Sequence, residues 1–219
     1  MAGMTWSTGG SYTWTCPANV SIVSAQCWGA GGSGANYNNI PHSIGAAGGG
    51  GGEYAQAPSI RVTPGNNYTV TVAFGGPGVT LSTAGKSGGN SSFLTVVANG
   101  GGGGFTTGAG GSGGTGSASP VHYGGGSAAN ANAANTQTGG GSSAGPANIG
   151  VNSSGAAGAI APAGGGNGGN GAIAGTPGSS PGGGGGGANH PQISGAGADG
   201  QVILTYNPVL PGALIAFFM

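Results

Sequence analysis

The chain has 219 residues, 59 of them glycine, and its only charged side chains are Glu53, Arg61, Lys86 and Asp199, for a net charge of zero. Phosphate neutralisation supplies most of the affinity of nucleic-acid binders, and two cations make no basic patch, so nucleic acid is excluded as a partner. The same shortage excludes the cationic amphipathic stretches that hold proteins on anionic membrane surfaces.

Residues 1–10 carry neither a basic start nor an apolar core. No secretory signal is therefore expected, and assembly in a cytoplasm is. The stretch SYTWTC (11–16) alternates, with Tyr12, Trp14 and Cys16 on one face, which predicts a half-buried strand. After the turn at Pro17-Ala18-Asn19, VSIVSAQCW (20–28) places Val23, Ala25 and Cys27 on one face and Ile22, Ser24, Gln26 and Trp28 on the other. That strand runs straight into GAGGSG. EYAQA and SIRVT are strand pieces on either side of Pro58, and Pro64-Gly65-Asn66-Asn67 is a turn. YTVTVAF (68–74) and SSFLTVVA (91–98) predict two further strands. No stretch has helical periodicity, and glycine opposes helices. Cys16 and Cys27 fall on consecutive predicted strands. Two cysteines make no disulfide scaffold, so buried free thiols in a reducing compartment are expected.

Residues 100–198 are glycine, alanine, serine and asparagine with few large side chains. There is no glycine at every third position, which excludes collagen. A flexible linker is the plain alternative. It sits poorly with GQVILTY (200–206), a strand that must return to the early strands or lie unpaired. The expected fold is therefore all-β: a small antiparallel β-sandwich closed by both chain ends, with a long insertion forming a bundle of polyglycine II helices. Residues 1–99 and 199–207 would form the base, 100–198 the bundle with variable loops, and 208–219 an apolar docking peptide. An isolated helix of this type has no internal hydrogen bonds. Glycine lets several approach until their backbones bond to one another. Ordering the backbone costs about 1–2 kcal/mol per residue, and a net hydrogen bond returns about 0.5–1.5 kcal/mol. A free bundle would be marginal, so the strand exits must serve as its template.

Taken together, SIVSAQCWGAGGSG (21–34), GGGGGEYAQAPSIRVTPGNNYTVTVAFGG (48–76), GGNSSF (88–93), the long glycine tract and GADGQVILTY (197–206) resemble the glycine-rich domain family common in bacteriophages and bacteria. The resemblance covers about residues 11–207 and leaves out 208–219. It implies a minor tail protein or distal tail-fibre adhesin of a tailed phage. In related adhesins, a sandwich of polyglycine helices presents variable loops to the host receptor. The resemblance further implies virion tail proteins as partners, a homo-oligomer (a trimer by analogy with tail fibres), a host surface receptor as a contact, and assembly in the host cytoplasm.

Motifs for chemistry are missing. GKSGG (85–89) lacks the phosphate-loop spacing, because position 80 is Thr80 rather than glycine. His42, His122 and His190 have no second ligand at metal-binding spacing. Glu53 and Asp199 are the whole carboxylate supply, and no nucleophile elbow is present. No catalytic residue, cofactor or metal is expected, and no enzyme. Candidate receptor or partner contacts are Tyr37, His42, His122, Tyr123 and His190, large or polar groups in predicted loops. Ile40, Val121, Ile149, Val151 and Ile193 either plug the bundle ends or join such contacts. Leu214, Ile215, Phe217 and Phe218 are candidate docking residues: their segment is too short to span a bilayer and too apolar to stay exposed, so it is expected to bury against another subunit. Two other readings are an ice-binding glycine-rich bundle and a virion spacer without receptor contact.

Overall fold

The computed structural model describes residues 1–37, 45–132 and 136–208. Among them there is no helix; the elements are strands. A five-stranded sheet has the order β1 (Ala2–Trp6), β11 (Gln201–Tyr206), β3 (Ile22–Trp28), β5 (Tyr54–Arg61), β9 (Val121–Tyr123). A four-stranded sheet has the order β2 (Gly10–Thr15), β6 (Asn67–Val72), β7 (Ser91–Phe93), β8 (Val96–Ala98). Both sheets are antiparallel throughout. Two short segments, β4 (Asn36–Tyr37) and β10 (Ala188–Asn189), pair in parallel outside them.

Alternation decides which side chains meet. Val23, Ala25 and Cys27 of β3 share the inner face of their sheet with Val202 and Leu204 of β11, and meet Val70 and Val72 of β6, Phe93 of β7 and Val96 of β8 in one hydrophobic core shared by the two sheets. Trp14 anchors it, with ring centroids 5.9 Å from Tyr68, 5.9 Å from Phe93 and 5.7 Å from Tyr206. Cys16 and Cys27 are free and buried there. Loss of water pushes the Cys27 thiol up to about 12, only partly offset by a backbone hydrogen bond at Phe93.

Four local features differ from the sequence expectation. The pieces flanking Pro58 form one strand. Val23 pairs with Ile60 and Ala25 with Ala57, so Pro58 and Ser59 bulge opposite Ser24 alone. A bulge is where proline fits a sheet, because its missing N–H is not asked to bond. SSFLTVVA is a hairpin rather than one strand: Phe93 pairs with Val96, and Leu94 takes the left-handed conformation (φ 51°) that such a tight turn demands. Strands β1 and β9 had no counterpart in the sequence reading. Each is held by its partner, β1 by β11 and β9 by β5.

Beyond the sheets, extended segments cross the glycine-rich region and bond side by side. Gly49 donates to Gly185, Gly50 to Gly102, Gly51 to Gly126 and Gly52 to Gly182. Positions 182 and 185 lie on one segment, so the donating direction returns to the same neighbour after three residues. Gly111 and Gly114 donate to Gly48 and Gly51, and Gly31 and Gly34 to Ala198 and Gly195, with the same spacing. A sheet ladder has a period of two residues and two neighbours; these segments have three. Segments 29–36 and 45–55 are fully buried.

Candidate functional site

The glycines are required by distance. A Cβ on Gly31 would collide with the carbonyl oxygen of Gly183, and one on Gly32 with that of Gly102. Towards the surface, short polar side chains take the place of a neighbouring carbonyl. Asn130 accepts from the Gly110 N–H (2.9 Å), Asn152 from Ser127 (2.7 Å) and Asn170 from Gly158 (2.8 Å). The serines and asparagines scattered through the tract are thus acceptors for adjacent segments.

Both carboxylates sit where glycine segments meet strands. Glu53, just before β5, is fully buried. Its Oε2 accepts from the Asn99 N–H (3.0 Å), and its Oε1 from the Ser117 N–H (3.2 Å) and hydroxyl (2.9 Å). Asp199, just before β11, accepts from the N–H groups of Gly9 and Gly75, each at 2.8 Å. Every carboxylate oxygen is thus occupied by a donor of the chain itself. Among the described residues no group of His, Cys, Asp and Glu is placed to hold a metal ion.

The end of the glycine region away from the sheets is where loops converge. Segment 29–37 leaves β3 and ends at Tyr37, whose carbonyl accepts from the His190 N–H (2.9 Å). Asn36, fully buried, ties two other loops to this point. Its Oδ1 accepts from the Ser82 N–H (3.2 Å), and its Nδ2 donates to the Gln192 carbonyl (2.5 Å). Ser194 closes the same pair of loops, donating its N–H to the Val79 carbonyl (3.0 Å) and accepting the Val79 N–H on its hydroxyl (2.9 Å). The Asn189 N–H bonds to the Ile173 carbonyl (3.1 Å). From these fastened loops Leu81 (73% exposed), Ile173 (72%) and Ile193 (54%) project into solvent. Leu81 and Ser82 are both left-handed (φ 56° and 53°). That conformation is costly for non-glycine residues and is found where the surroundings impose it.

Of the candidates from sequence, Tyr37 and His190 are brought together at this end. His122 and Tyr123 are elsewhere, on β9 at the edge of the five-stranded sheet. His122 is exposed, with Nδ1 3.0 Å from the Ser119 carbonyl. Tyr123 stacks on Tyr54 (6.3 Å), which meets Trp28 edge-on (4.8 Å) in a second apolar cluster. The Trp28 indole N–H donates to the Ala144 carbonyl (3.1 Å), pinning a glycine-region segment to the sheet. His42, Leu214, Ile215, Phe217 and Phe218 lie outside the described residues. Leu81, Ile173 and Asn36 were missed from sequence. Leu81 and Ile173 carried one usable signal, a large aliphatic side chain in a small-residue stretch. Asn36 carried none, because its partners lie 46 and 156 residues away.

A family model described as a glycine-rich domain matches residues 7–207. No curated protein matches the chain.

Proposed function

The chain belongs to the glycine-rich domain family, and from that membership we propose that it is a non-enzymatic structural protein of a tailed-phage virion, at the tail tip or on a fibre, contributing to host attachment. In this reading the double sheet is a sandwich closed by both chain ends. The glycine region is a bundle of polyglycine II helices, a reading supported by the three-residue period of its hydrogen bonds. The bundle holds its far end at a distance from the base. Segment 208–219 anchors the base to another subunit of the tail.

The observation that carries the attachment role is the set of loops fastened around Asn36, which displays Leu81, Ile173 and Ile193 beside Tyr37 and His190. A rigid surface of this kind meets a partner with little ordering cost. It holds no charged residue, so contact would rest on apolar burial and neutral hydrogen bonds. The test uses virions that carry the chain with Leu81→Asp and Ile193→Asp. Host adsorption is expected to fall at least tenfold while particle assembly is unchanged. Unchanged adsorption would leave a spacer in the virion and end the attachment role.

A further inference from the structure

The free edge of a sheet is a row of unpaired N–H and C=O groups that templates another strand, and proteins blunt such edges with charge, proline, bulges or brevity. The double sheet has two flanks, and they are treated differently. On one, β8 and β9 are three residues each. The Ser119 hydroxyl takes the Val97 N–H (3.1 Å) and donates to the Val97 carbonyl (3.0 Å), closing the β8 edge. On the other, β1 and β2 run five and six residues. The sequences AGMTW and GSYTWT hold no charge and no proline, and their registers with β11 and β6 are unbroken. The Trp6 and Tyr12 rings meet at 6.5 Å, placing these two edges on the same flank. Among the described residues the core is also unfinished there. Met4 pairs with Leu204 and shares its inner face, yet Leu204 is fully buried and Met4 is 44% exposed.

We propose that the β1–β2 flank is an interface with a second copy of this chain, β1 adding to β1 and β2 to β2 about one two-fold axis normal to the sheets. The two edges identify the partner. A single peptide strand satisfies only one of them. A partner that satisfies both must present two strands in two layers at the same spacing, and a second copy does so by construction. A two-fold axis normal to the sheets maps each layer onto itself and makes the new pairs antiparallel. Residues 1–52 hold no charged side chain, so two copies meet without repulsion. The second Met4 covers the first, and each sheet doubles in width. The inference is independent of the attachment role, and it pairs copies in twos rather than in the threes that tail fibres suggest.

Sedimentation velocity on the full chain over a concentration series tests this directly. The mass is expected to rise to twice that of one chain. Met4→Lys combined with Thr13→Lys places a charge at each edge and is expected to weaken the association at least tenfold with the melting transition retained. Should that variant not fold, Thr13→Lys alone, at an exposed position, is expected to weaken it several-fold. In the unaltered chain, amide exchange in β1 and β2 is expected to slow as concentration rises, while exchange in the exposed turn 146–149 stays constant. A monomer at every concentration, a trimer, or a dimer indifferent to these lysines overturns the proposal.

Discussion

The double sheet and the glycine region solve one problem in opposite ways. Both must satisfy the N–H and C=O groups of buried backbone. In the sheets each strand bonds to its neighbours in the plane, and side chains such as Phe93, Leu204 and Trp14 fill the space between layers, about 10 Å thick. In the glycine region the space between segments is filled by backbone itself, and bonds go out in three directions. The first solution is harmed by removing atoms, the second by adding them. Large side chains are accordingly expelled from the glycine segments to their turns, where Leu81, Ile173 and Ile193 are exposed.

The sharpest way to break the comparison is to add one methyl group to the glycine region. Gly31→Ala places a Cβ against the Gly183 carbonyl, a backbone group that cannot rotate away. It is expected to destabilise by more than about 4 kcal/mol, the range reserved for severe lesions. The melting temperature and the rate of proteolysis within 29–36 would show it. A melting curve like that of the parent would mean that the segments slide apart cheaply and that close contact is not their organising rule. The opposite change in the sheets, Phe93→Ala, removes atoms from the shared core and is expected to cost about 3–5 kcal/mol. Urea titration would measure it, and a truncation without cost would show that the two sheets do not depend on a common core.

The smallest expected effect is a pH dependence confined to the sheets. The Cys27 thiol is raised by burial from 9.0 to about 12. Below pH 9 it is protonated both folded and unfolded, and stability is unaffected. Above pH 9 the unfolded chain loses the proton first, so stability falls with rising pH until the folded thiol also ionises near 12. The loss is about 1.4 kcal/mol by pH 10. Tyr54, raised by burial to about 12, acts with the same sign. Cys27→Ala should flatten the decline in melting temperature between pH 9 and 11, and an equally steep decline would place its cause outside this thiol.

Much of the sheet was legible in the sequence because a strand writes its environment at a period of two. Val23, Ala25 and Cys27 fall on one face by alternation alone, and all three are buried. What was not legible depended on pairing. Val121–Tyr123 has no alternating run long enough to mark a strand; it becomes β9 because Tyr54, Ala55 and Gln56 offer an edge. The same holds for Ala2–Trp6 beside β11. The hairpin at Leu94 was hidden because leucine does not announce a left-handed turn as glycine or asparagine does. Of the site, Tyr37, His190 and Ile193 were visible as large or polar groups among small ones, whereas the asparagine that gathers their loops looked like any other.

By itself, the sequence determined the all-β class, the buried thiols, the need for glycine after Trp28 and the absence of any charged cluster. These follow from composition and from patterns a few residues long, where chain geometry alone relates one side chain to the next. The tertiary structure decided which segments lie beside which, that Glu53 and Asp199 serve backbone donors at the junctions, that Asn36 binds loops from distant parts of the chain, and that Ser119 closes the β8 edge while β1 and β2 end their sheets with no further strand among the described residues. The physical reason is that a glycine carries no label. Any glycine N–H fits any glycine carbonyl, so the choice of neighbour is made by the strands that launch each segment and by the few side chains that reach across.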